Sequence, residues 1–121
     1  MEYGDTPMLK NIIEQPKQDS LWLPILRIPS LNQIRSLNLS IILFYKNKKH
    51  PKADSENDGW FPCTIKDLET FGPYMDAAQQ TRMLNYFEKE GYIRRKKYGK
   101  PVVRYLWINE EKIQREIEEN I

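Results

Sequence analysis

The sequence predicts one α+β domain, three helices and then a β-hairpin, with an arm in front and a short helix behind. Three observations carry that expectation. Apolar residues recur at helical spacing from Leu31 to Tyr45. Two cap signals and the helix stop Phe71-Gly72-Pro73 mark out a pair of short helices between Thr64 and Gly91. Beyond Gly91 the period changes: Tyr92 to Tyr98 and Val102 to Ile108 are rich in Tyr, Val, Ile and Trp and flank the turn Gly99-Lys100-Pro101.

Residues 1–29 are expected to be an extended arm, because Pro7, Pro16, Pro24 and Pro29 interrupt its short apolar pieces. So much apolar surface suits docking on the domain or on a second copy. The domain proper is assigned to residues 30–108. Its first helix is expected to start after a Ser30 cap, with Leu31, Ile34, Leu37, Ile41, Phe44 and Tyr45 as the apolar stripe, widened by Leu39, Ile42 and Leu43. Lys46, Lys48 and Lys49 suit its C-terminal end. His50 to Gly59 reads as a mobile polar loop, and Trp60 to Cys63 as one small strand.

Thr64 and Asp67 have the spacing of a capping box, with Ile65 and Leu68 expected to face inward. Asp76 caps the second helix of the pair, with Gln79 at the reciprocal position, and Gly91 ends it. Met83, Leu84 and Phe87 form its apolar stripe; Gln80 lies on the same face, where it is expected to hold the turn at the core edge. Ala78, Gln79, Arg82, Asn85, Tyr86 and Lys89 lie opposite. Two short helices joined by a tight turn, the second presenting polar donors, make a helix-turn-helix unit. Residues 109–121 are a C-terminal helix capped by Asn109, with Ile113, Ile117 and Ile121 on one stripe.

The totals exclude several classes. A chain of 121 residues, 40% hydrophobic and 30% charged, suits one domain with a well-solvated surface. No apolar run approaches the roughly 18 residues of a membrane span, and the N-terminus lacks the apolar region of a secretory signal. Cys63 is the single cysteine, which rules out an intramolecular disulfide and fits a cytoplasmic location. With one histidine, His50, there is no catalytic triad and no structural zinc site. No phosphate-binding glycine loop is present. The chain is therefore expected to be non-enzymatic, without metal or cofactor.

The net charge of +2 hides an uneven distribution. Arg94, Arg95, Lys96, Lys97, Lys100 and Arg104 fall between Tyr92 and Trp107 with no acidic residue among them. Five glutamates then crowd the C-terminal helix. A local excess of that size is a signal for a polyanion.

The order of helix, short strand, helix pair and basic hairpin is that of a winged helix-turn-helix domain: a three-helix core with a β-hairpin wing. More narrowly, Asp58-Gly59-Trp60-Phe61, Thr64 to Leu68, Gln79-Gln80, Phe87 to Ile93, Gly99-Lys100-Pro101, Arg104-Tyr105 and Ile108-Asn109 resemble the DNA-binding domains of phage, plasmid and mobile-element replication proteins. The resemblance covers roughly half of the chain. It implies an accessory or origin-recognition factor in replication of a phage or mobile element, with a helicase or polymerase as possible partner. The C-terminal end leaves no room for a helicase-loading domain, which speaks against a complete initiator.

On this reading Gln79, Arg82, Asn85 and Tyr86 reach base edges or phosphates. Arg94, Arg95, Lys96, Lys97, Lys100 and Arg104 take phosphates, with Tyr98 at the wing tip. Tyr98, Tyr105 and Trp107 share one alternating face and suit stacking on unpaired bases. Packing of Tyr105 and Trp107 on the arm or the C-terminal helix is the preferred reading. Duplex and single-stranded DNA both stay open as targets, as does a homodimer built from arm and terminal helix. The rival functions are a small winged-helix transcriptional regulator and a winged-helix protein-protein interaction module.

Overall fold

Asn32 opens the first helix. Its Oδ1 accepts from the Arg35 backbone N–H at 2.8 Å, satisfying one of the donors a helix start leaves bare. Helix α1, Gln33–Lys49, follows. The computed structural model describes residues 25, 28, 29, 31–71 and 75–120. The apolar pieces of the arm up to Pro24, the expected Ser30 cap, Gly72-Pro73 and Ile121 lie outside the described residues.

The buried face of α1 matches the expected stripe only in part. Leu39, Ile42, Leu43 and Tyr45 are buried, but so are Ser36, Asn38, Ser40 and Lys46, while Ile34 is 57% exposed. Two contacts explain the difference. Ser40 Oγ donates to the Ser36 carbonyl at 2.8 Å, so this hydroxyl needs no water. Lys46 Nζ is paired with Glu110 Oε2, which neutralises its buried charge.

After α1 come α2 (Ala53–Asn57), β1 (Phe61–Pro62), α3 (Ile65–Phe71), α4 (Ala77–Lys89), β2 (Ile93–Tyr98), β3 (Val103–Ile108) and α5 (Glu110–Glu119). The architecture is α+β: helices with one small antiparallel sheet of strand order β1-β3-β2. The described residues fall into two compact units, those up to Lys48 with those from Glu110 onward, and Lys49–Asn109. Helix α1 up to Lys48 thus falls with α5, whereas the sequence grouped it with the hairpin.

In the first unit Ile25, Ile28, Leu31, Leu39, Ile42, Leu43, Ile113 and Ile117 are buried. Asn109 precedes α5 and donates from Nδ2 to the Gly91 carbonyl at 3.3 Å.

The second unit carries most of the local grammar read from the sequence. The stretch expected as a mobile loop instead forms α2, closed by Asp58 and Gly59 at φ 52° and 88°. The Gly59 N–H donates to the Ala53 carbonyl at 2.9 Å. Asn57 Nδ2 donates to the Trp60 carbonyl at 2.9 Å, so polar turn formers here make a helix end rather than a loop. Thr64 and Asp67 form the reciprocal box: the Thr64 N–H donates to Asp67 Oδ2 at 2.9 Å, and the Asp67 N–H to Thr64 Oγ1 at 3.1 Å. Leu68 is buried, but Ile65, expected inside, is 43% exposed because it sits on the first turn.

Asp76 Oδ1 caps α4 by accepting from the Gln79 N–H at 2.8 Å. The Gln79 side chain does not return the bond; its Oε1 accepts from Arg82 Nη2 at 2.7 Å. Gln80, Met83, Leu84 and Phe87 are the buried stripe of α4. Phe87 meets Tyr92 edge to face at 6.3 Å between centroids. The hairpin pairs Ile93 with Ile108 through Tyr98 with Val103.

Cys63 is buried between β1 and α3. Burial pushes its thiol up to about 12 from an ordinary 9.0, against the pull of the Arg104 guanidinium. The native thiol is therefore expected to resist an aromatic disulfide reagent at pH 8 and to react fully in guanidinium chloride. Rapid labelling of the folded chain would refute this. The linkage has a definite sign: the unfolded thiol loses its proton first, so this group's contribution to stability falls as pH rises above 9.

Candidate nucleic-acid interface

Strand alternation divides the basic hairpin into two faces. Residues that point one way along β2 are Ile93, Arg95 and Lys97, opposite Ile108, Leu106 and Arg104 on β3. This is the face toward α4, since Arg95 bonds to that helix and Ile93, Leu106 and Ile108 are buried. Pointing the other way are Arg94, Lys96 and Tyr98, opposite Trp107, Tyr105 and Val103. The sequence showed one basic cluster; the fold makes two.

On the helix side, two of the three cations already have partners. Arg104 Nε donates to the Cys63 carbonyl at 2.7 Å, and its Nη2 to Gln80 Oε1 at 2.9 Å. Gln80 is fully buried and donates from Nε2 to the carbonyls of Ile65 at 2.8 Å and Met75 at 2.7 Å. Arg104, expected on phosphate, is thus a strut tying β3 to the start of α3 and the entry to α4. Arg95 reaches α4, donating to Asn85 Oδ1 at 2.7 Å and pairing with Glu88. An exposed pair of this kind is worth no more than about 1 kcal/mol. Glu88 therefore holds Arg95 where a phosphate oxygen could replace it. Lys97, Tyr98 and Lys100 are exposed.

Along α4, Arg82 and Asn85 are exposed, and Gln79 and Tyr86 are half-buried. The structure brings Gln79 to Arg82, and Asn85 to Arg95, but leaves Lys100 at the turn apart from both clusters.

On the outer face every aromatic ring has a neighbour. Arg94 Cζ lies 5.5 Å from the centre of the Trp107 ring, and Lys96 Nζ 4.2 Å from that of Trp60. Tyr98 and Tyr105 meet edge to face at 6.2 Å. The Trp107 indole packs on the Gly59 backbone, just past the end of α2. Trp60 was read in the sequence as the start of the small strand, not as a contact residue. Its membership follows from register: Phe61 pairs with Leu106, so Trp60 stands level with Trp107 on the same side.

His50 lies beside Phe61, rings 6.0 Å apart. Burial pushes its pKa down, opposed by the Asp67 carboxylate. Among the described residues no group of three His, Cys, Asp or Glu could hold a metal ion, and no helix is long and apolar enough to cross a membrane. No family model matches this chain, and no curated protein or solved structure matches it either.

Proposed function

We propose that this chain is a non-enzymatic winged helix-turn-helix protein that binds duplex DNA, with α4 in the major groove and the hairpin along the phosphates. The observation that carries the reading is the junction at Gly91. A capped helix with an exposed polar face runs directly into a hairpin that has cations and no acidic residue on either strand. Arg82 and Asn85 are the side chains for base edges: guanidinium suits guanine, and the amide suits adenine. Lys97 and Lys100 are the phosphate contacts, joined by Arg95 once phosphate displaces Glu88. A role as an accessory or origin-recognition factor for a phage or mobile element, in the cytoplasm and alongside a helicase or polymerase, rests on the sequence resemblance.

Fluorescence anisotropy with a labelled duplex across a salt series tests the reading. Lys97→Glu with Lys100→Glu is expected to weaken binding at least tenfold. It should also flatten the salt dependence by about two contacts, at a slope of roughly 0.9 per phosphate. Glu88→Gln should tighten binding. Unchanged affinity in the double variant, with an unchanged thermal melt, would sink the proposal.

A further inference from the structure

We propose that the outer face of the sheet is a stacking platform for an unpaired nucleic-acid strand. It is a second site, on the side away from α4. The inference does not depend on the duplex reading.

Four rings stand on this one face: Trp60 before β1, Tyr105 and Trp107 on β3, and Tyr98 on β2. Tyr98 is 69% exposed, and the other three are half-buried. Half-burial fixes a ring's plane while leaving part of it open. Two cations, Arg94 and Lys96, lie over the tryptophans, and neither strand contributes an acidic side chain. An open groove of about 670 Å³ passes here, with Trp60, Arg94, Lys96 and Trp107 in its lining and one carboxylate, Glu88, paired with Arg95, at its α4 edge.

A row of rings on β3 beside a row of cations on β2 matches a ligand that carries bases along a phosphate backbone. A cation over an exposed ring binds it less strongly than a stacked base does. An arriving base can therefore take the ring while the displaced ammonium or guanidinium moves to the neighbouring phosphate. Geometry selects the unpaired strand. Tyr105 and Trp107 are two residues apart on one strand, about 7 Å at the usual rise. That is about twice the 3.4 Å rise per nucleotide in a duplex, so consecutive bases must be unstacked to use both. A duplex offers this face only its phosphates.

The test uses the full chain in a Trp22→Phe background, so that emission comes from Trp60 and Trp107. Labelled oligothymidylate, oligouridylate and a blunt duplex of equal length are titrated at fixed salt, reading anisotropy and tryptophan emission together. Binding of either single strand with parallel quenching is expected; the two strands distinguish DNA from RNA as its source. Tyr98→Leu with Tyr105→Leu keeps apolar bulk and removes two rings. It should weaken strand binding tenfold or more, and far more than it weakens duplex binding, and the corresponding Phe pair should bind as the native chain does. Native strand affinity in the Leu pair, or binding without quenching, overturns the proposal. So does failure to bind either strand; tryptophans then shielded from acrylamide would mean that this chain covers the face itself. A chain that binds strand but no duplex overturns the groove reading alone.

Discussion

Gln80→Ala is expected to cost the second unit about 3 kcal/mol, and to lower its melting temperature by more than about 10 °C. The side chain is fully buried and uses both ends of its amide. Nε2 serves the Ile65 carbonyl at the start of α3 and the Met75 carbonyl just before α4, and Oε1 accepts from Arg104. Truncation strands two carbonyls and one guanidinium N–H, each at a cost of about 1–3 kcal/mol less whatever water recovers. A domain has only about 5–15 kcal/mol in hand, so this one residue decides whether the turn holds. Gln80→Glu separates the terms: its carboxylate keeps Arg104 but faces the two carbonyls, so it should be nearly as damaging. Arg104→Ala should be milder. The Gln80→Ala/Arg104→Ala double variant should cost less than the sum, because both single changes break the same bond. Urea melts of the four variants measure this, and strict additivity would mean that the two side chains act separately.

That hub shows where sequence reasoning reached and where it stopped. Thr64/Asp67 and Asp76 were legible because a cap is a local bond between residues three apart. Gly91 and Gly99, at φ 87° and 96°, marked a helix end and a strand turn for the same reason. Gln80 was legible as a turn-holding residue from its position on an apolar stripe. Its partner Arg104, 24 residues away, was not, so Arg104 was read with the other cations. Lys46 is the parallel case in α1: a lysine at a helix end reads as solvated, and only Glu110, 64 residues on, makes its burial tolerable. The Ser36 and Ser40 face was hidden by the same logic, since apolar periodicity counts a serine as exposed. The two faces of the hairpin lay in the alternation all along. What the sequence lacked was the side to which α4 packs, and that is a tertiary fact.

Gly59→Ala is the second large effect, expected to destabilise by about 2–3 kcal/mol and to disturb the aromatic face. Two costs combine. The backbone stands at φ 88°, where a side chain other than glycine's costs about 1–2 kcal/mol. In addition, an added Cβ would sit 2.8 Å from Trp107 Nε1 and 2.9 Å from its Cδ1. No real contact is that short, so the indole must move, and the Arg94 guanidinium over it loses its seat. The neighbouring residue isolates the first cost: Asp58 has φ 52°, and Asp58→Gly should be near neutral, relief of strain offsetting the entropy gained by the unfolded chain. Trp107→Leu isolates the second, because its smaller side chain should absorb part of the damage when combined with Gly59→Ala. Thermal melts give the energies, and a shift of tryptophan emission in folded Gly59→Ala reports the displaced ring. If the Ala variant melts with the native chain and keeps its emission maximum, Trp107 does not rest on Gly59. The platform would then lose the backbone contact that fixes its central ring.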